Sequence, residues 1–83
     1  MNLFTTYILF SQSKNKYYVG HTNDFSRRII EHNSGQNKST KFGAPWILVF
    51  SKEFFSNSEA IRLETKIKKR GIGRFLSDQH STG

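Results

Sequence analysis

Cysteine is absent from this 83-residue chain, which excludes disulfides and thiolate metal sites. Histidine is scarce as well; three residues without any cysteine argue against a structural zinc centre. Proline occurs once, at position 45, so few backbone positions are locked by a ring. No apolar run approaches the roughly 20 residues needed to span a bilayer, and no signal-peptide stretch follows Met1. On these grounds the chain reads as soluble, intracellular and cytoplasmic, with no membrane partner. Acidic residues are few, six against 13 Lys and Arg, leaving a net charge of +7. A balance this basic in one small domain favours polyanionic partners, chiefly nucleic acid.

What is present compensates for an apolar content of only 35%. Eight Phe, three Tyr and one Trp each bury a large area, enough for one compact core in a single domain, 1–83. Residues 5 to 11 are β-branched and aromatic and predict a strand. Ser13-Lys14-Asn15 supplies turn residues, and residues 16 to 22 resume β character, so an antiparallel hairpin is expected. It brings Tyr7 and Tyr18 within reach of each other if they share a face.

Asn23 or Asp24 can cap a following helix, with Phe25, Ile29 and Ile30 as its apolar stripe and Gly35 as its stop. Arg28 and His32 are four apart and lie along one edge of that helix. Arg27 projects about 100° away from Arg28, so the two arginines are not expected to share a role. Residues 34 to 45 form a polar loop in which Lys38 and Lys41, with Ser39 and Thr40, suit phosphate contact. Residues 46 to 50 predict a third strand, extended by 52 to 55. Ser56-Asn57-Ser58-Glu59 is a capping box opening a second helix, which buries Ala60, Leu63 and Ile67. Glu64 falls on that same stripe, where a carboxylate needs a partner or a task; an i,i+4 pair with Lys68 is one answer. Lys66, Lys68, Lys69, Arg70 and Arg74 follow without an acid between them. Gly71 and Gly73 interrupt the helix before a short final one carrying Phe75 and Leu76, and residues 79 to 83 are expected to fray.

Tyr7, Tyr18, Arg28, His32 and Glu64 together suit phosphodiester hydrolysis. A carboxylate can hold one divalent metal that polarises a phosphate oxygen. A guanidinium can stabilise the phosphorane charge. A phenolate, or a tyrosine relayed by histidine, can deprotonate water; a free tyrosine is a poor base at neutral pH, so neighbouring cations are expected to lower its pKa.

In their order and spacing these residues resemble the GIY-YIG nuclease family, a resemblance that covers about residues 4 to 76. Its two name-giving tripeptides stand here in degenerate form as Thr5-Thr6-Tyr7 and Tyr18-Val19-Gly20. Arg28 comes ten residues after Tyr18, His32 four later, and Glu64 on a helix after the third strand. Asn33-Ser34-Gly35, Pro45-Trp46 and Ser58-Glu59-Ala60 are similar to the small stand-alone bacterial members related to the excinuclease C N-terminal domain.

The resemblance implies an α+β fold, a three-stranded, mainly antiparallel sheet flanked by helices, and metal-dependent cleavage of DNA, in repair or recombination. It implies Tyr7 or Tyr18 as general base with the other orienting, Arg28 on the scissile phosphate and His32 handling a proton. Glu64 would hold one Mg²⁺ or similar ion, and Gly20 would let the backbone pass close to the site. Lys38, Lys41, Lys66, Lys68, Lys69, Arg70 and Arg74 would grip DNA, since no further DNA-binding domain is present to do so. His21 reads as an ordinary exposed histidine. Two other readings stay open: a DNA-binding module with negligible catalysis, and a cleavage subunit, monomeric or homodimeric, acting with a separate DNA-binding partner.

Overall fold

In order along the chain come β1 (Phe4–Ser11), β2 (Lys16–Thr22), α1 (Phe25–Ser34), β3 (Trp46–Phe54), α2 (Asn57–Arg70) and α3 (Ile72–His80). The structure, a computed structural model, describes residues 3–36, 40 and 42–80. Lys38, Ser39 and Lys41 lie outside the described residues. The three strands form one antiparallel sheet in the order β2-β1-β3, the α+β architecture expected.

β1 is central because its residues are apolar or small on both faces; from Thr5 to Leu9 it is buried without a break. Strand alternation then divides the interior in two. On one face Tyr7 and Leu9 join Trp46, with Tyr18 of β2 and Phe25 and Ile29 of α1 packed against them. On the other, Ile8 and Val19 meet Ile67 of α2 and Phe75 of α3, with Phe50 and Leu63 at the margin. The Thr6 hydroxyl donates to the Ala60 carbonyl at 2.8 Å, joining α2 to β1 where both residues are fully buried.

The local signals act as expected. Asn15 takes a left-handed φ of 52° in the hairpin turn. The Asp24 carboxylate accepts from the Arg27 amide to cap α1, and Gly35 closes it at φ 83°. Ser56 caps α2 by accepting from the Glu59 amide.

Three expectations are corrected. Ile30 is 65% exposed, because it sits five residues after Phe25 and so points well away from the line Phe25, Ile29, His32. Leu63 is half-buried at the rim of its cluster rather than inside it. α3 continues through His80; Phe75 anchors its buried face, and Asp78 in its last turns accepts two hydrogen bonds from the Arg70 guanidinium, at 2.9 and 3.1 Å.

Candidate active site

β2 sends alternate side chains into the two compartments. Tyr18 and Gly20 face α1; Val19 and His21 face α2. The pairing Tyr7↔Gly20 sets Tyr18 diagonally across from Tyr7, with ring centroids 6.4 Å apart. Gly20 is required here. A Cβ in its place would stand 2.8 Å from Tyr7 Oη and 3.1 Å from Tyr18 Cε2, so any side chain would displace one ring or the other.

Helix α1 delivers His32, fully buried, against both tyrosines. Tyr7 Oη lies 2.9 Å from His32 Nε2, and His32 Nδ1 lies 2.7 Å from Thr40 Oγ1. Thr40 is itself anchored, since the Trp46 indole N–H donates to its carbonyl at 2.7 Å, while the Trp46 amide donates to Asn33 Oδ1. A line of buried groups therefore runs Tyr7–His32–Thr40–Trp46. A neutral imidazole suits it, because one ring nitrogen then donates and the other accepts. Burial, followed by the Arg28 charge, pushes the His32 pKa below its ordinary value. Burial also pushes the Tyr7 phenol well above its ordinary range; Tyr18 adds to the rise, the Arg28 charge opposes it, and Glu64 and Glu31 add further.

The charges of Arg28 and Glu64 act on Tyr7 in opposite senses. Tyr7, Tyr18 and His32 are in ring contact; Arg28 and Glu64 flank them from α1 and α2, with no ion pair joining the two among the described residues. Arg28 Nε is buried without a hydrogen-bond partner, 3.7 Å from Glu31 Oε1. A donor left unmet in this way is costly unless something is to be bound there. Arg28 opens onto a polar cleft of ≈ 230 Å³ lined also by Phe4, His21, Thr22, Asn23 and Asn57. Arg27 is more exposed but reaches the same acid, Glu31, at 3.6 Å. Tyr18 is half-buried.

Glu64 is largely buried, its side chain 14% exposed, and both of its oxygens are taken. His21 Nδ1 hydrogen-bonds Oε1, and Lys68 Nζ sits 2.8 Å from Oε2. Desolvation pushes the carboxyl pKa up, but the hydrogen bonds from Lys68 and His21 outweigh it and leave the pKa below the ordinary range. His21 is thus a partner of Glu64, not an ordinary exposed histidine. Strand parity carries the signal: three residues after Tyr18, it must face the helix that holds Glu64.

No group of three metal-ligating side chains occurs among the described residues. Glu64 nevertheless fits a hydrated Mg²⁺, which commonly takes one or two protein carboxylates and completes its shell with water and phosphate.

Of the cations expected on DNA, Lys68 is paired with Glu64 and Arg70 with Asp78. Lys69 and Arg74 are exposed. Lys66 lines a separate cleft of ≈ 320 Å³ with Lys52, Arg62, Glu59, Phe54 and Leu63, on the β3 flank of α2 and away from the tyrosines.

The His32 shift makes stability depend on pH. With its folded pKa depressed, the unfolded chain binds the extra proton first. The contribution of neutral His32 is therefore complete above about pH 6.5, its ordinary value, and is lost as pH falls through the folded value. The melting temperature should be level above that point and decline below it. Scanning calorimetry across pH 4 to 8 checks this, and His32→Gln should remove this part of the decline.

Residues 3–71 match the GIY-YIG catalytic domain family. A UPF0213 protein of Halobacterium salinarum is 43% identical over 58 residues, which are 69% of this chain and 75% of that protein. The UPF0213 protein YazA of Bacillus subtilis is 39% identical over 56 residues, 66% of this chain and 57% of its own length. Among solved structures, the solution NMR structure of the UPF0213 protein BH0048 from Bacillus halodurans aligns with a TM-score of 0.60 at 32% identity, covering 98% of this chain and 86% of that one.

Proposed function

The chain belongs to the GIY-YIG family, and from that premise we propose that it is a metal-dependent endonuclease hydrolysing DNA phosphodiester bonds, serving DNA repair or recombination in the cytoplasm. The observation that carries this reading is the buried hydrogen-bonded line Tyr7–His32–Thr40, set beside an arginine whose Nε has no hydrogen-bond partner.

Tyr7 and His32 are the proton-accepting pair. A buried phenol is a poor base by itself, because burial penalises its anion. Its bond to a neutral imidazole removes the difficulty: as Tyr7 takes a proton from the attacking water, its own proton passes to His32 Nε2. Thr40 holds the opposite edge of the ring by accepting from Nδ1–H, so that Nε2 is left bare. The logic is that of any base oriented by a third group. Tyr18, in ring contact with both, orients the water. Arg28 binds the scissile phosphate, its fork matched to two phosphate oxygens. Glu64 would hold the divalent ion, Mg²⁺ or similar, which when bound supplies Lewis-acid stabilisation of the phosphate and leaving oxygen. The exposed cations Lys66, Lys69 and Arg74 add charge-based, sequence-independent affinity.

Nicking of supercoiled plasmid in Mg²⁺ tests the proposal. The wild type should convert it to open circles, and Arg28→Ala should slow conversion by about 10²–10³-fold, as expected for loss of a preorganised donor. Salt-sensitive DNA binding without turnover in Mg²⁺, Mn²⁺ or Co²⁺ would identify a binding module instead. Full-rate cleavage by Arg28→Ala would place the chemistry elsewhere.

A further inference from the structure

We propose that Lys68 is a resident counter-ion that occupies the metal's place on Glu64 and must leave it when the ion binds. The inference rests on the reading of Glu64 as metal-holding residue.

The carboxylate has two oxygens and both are in use. A divalent ion must therefore share with, or displace, one of two present partners. The partners differ in freedom. His21 is a short side chain on a strand, about two-thirds buried, so its position is set by the sheet. Lys68 is on the helix one turn after Glu64, 59% exposed, with four carbons of slack in its side chain. It can swing into solvent while His21 stays and holds the carboxylate orientation, as hydrogen bonds to metal-ligating carboxylates commonly do.

The charge arithmetic points the same way. A largely buried carboxylate without a counter-charge is costly, and Lys68 supplies that charge in the metal-free protein. A divalent ion makes it redundant: an ammonium held beside a dication on one carboxylate is repelled. Ion entry thus exchanges one cation on Glu64 for another.

The test is direct metal affinity, read by Mn²⁺ electron paramagnetic resonance or calorimetry on DNA-free protein. Lys68→Met keeps most of the stem and removes the competitor. It should bind Mn²⁺ about two- to fivefold more tightly, the size expected for removing one half-exposed ion pair. Lys69→Met loses the same charge one position along the helix and should gain less. Equal gains in the two variants, or no gain in Lys68→Met, would overturn the competition. Glu64→Gln separates the two claims: if it binds Mn²⁺ as the wild type does, Glu64 is not the ligand and the underlying reading fails. If it loses binding while Lys68→Met shows no gain, only the counter-ion role fails. Melting curves for each variant verify that all are folded.

Discussion

Glu64→Gln should reduce Mg²⁺-dependent DNA cleavage by about 10³-fold or more, on the order of 4 kcal/mol of transition-state stabilisation, while leaving the fold intact. The substitution is nearly isosteric: the amide oxygen can still accept from Lys68, and the NH2 then faces His21 Nδ1, to which it can donate. What it loses is the full negative charge that a divalent ion requires. Two measurements check the expectation together: single-turnover cleavage rates, and a thermal melt moved by no more than a few degrees. Because Glu64 stands on α2, apart from the tyrosine-histidine line, the variant should keep DNA binding and its salt dependence. Loss of cleavage without loss of binding is the combined result expected of a metal ligand. A variant that cleaves at a tenth of the wild-type rate or better would remove Glu64 from the reaction.

Ile67→Ala should be the most destabilising of the simple core truncations on the α2 side. Ile67 is fully buried among Ile8, Val19 and Phe75. Cutting it to alanine removes buried methylenes and leaves a cavity, a cost of about 2–5 kcal/mol. A domain of this length has roughly 4–12 kcal/mol in total, so the loss is a large share of its stability. Urea denaturation should show a midpoint shifted far downward with the m-value nearly unchanged. The same truncation at Ile30, 65% exposed, should move the midpoint little. The folded fraction of Ile67→Ala is informative too: α2 carries Glu64 three residues earlier, so slackening its seat should weaken Mn²⁺ binding.

Much of the candidate site's geometry is legible in the sequence because it follows from local spacing. Arg28 and His32 are one helical turn apart, Glu64 sits on the stripe between Ala60 and Ile67, and the Glu64–Lys68 pair follows from four-residue spacing. These are consequences of helix geometry and need no tertiary information. Thr40 was read only as a phosphate-contacting loop residue, because its carbonyl partner and its histidine partner lie six and eight positions away across a turn. The Arg70–Asp78 pair spans the break between two helices, whose angle no periodicity reports. Arg27 was set apart from Arg28 by its projection angle, yet long side chains starting 100° apart converge on one acid, Glu31, from either side. His21 was legible in principle by strand parity, but only once β2 is known to be covered on both faces.

The hairpin turn between β1 and β2 holds none of the proposed reacting groups and lies at the far end of the strands from Tyr7 and Gly20. It nevertheless acts as the adjusting screw of the active centre. Its length sets the register that places Gly20 against Tyr7, and because neighbouring residues of β2 face opposite compartments, a slip by one position would exchange their contents. His21 would turn toward the tyrosine side, Tyr18 toward the helix of Glu64, and a side chain would close over the Tyr7 hydroxyl. Groups that reach one cleft from opposite faces of an edge strand are thus timed by four residues at its tip.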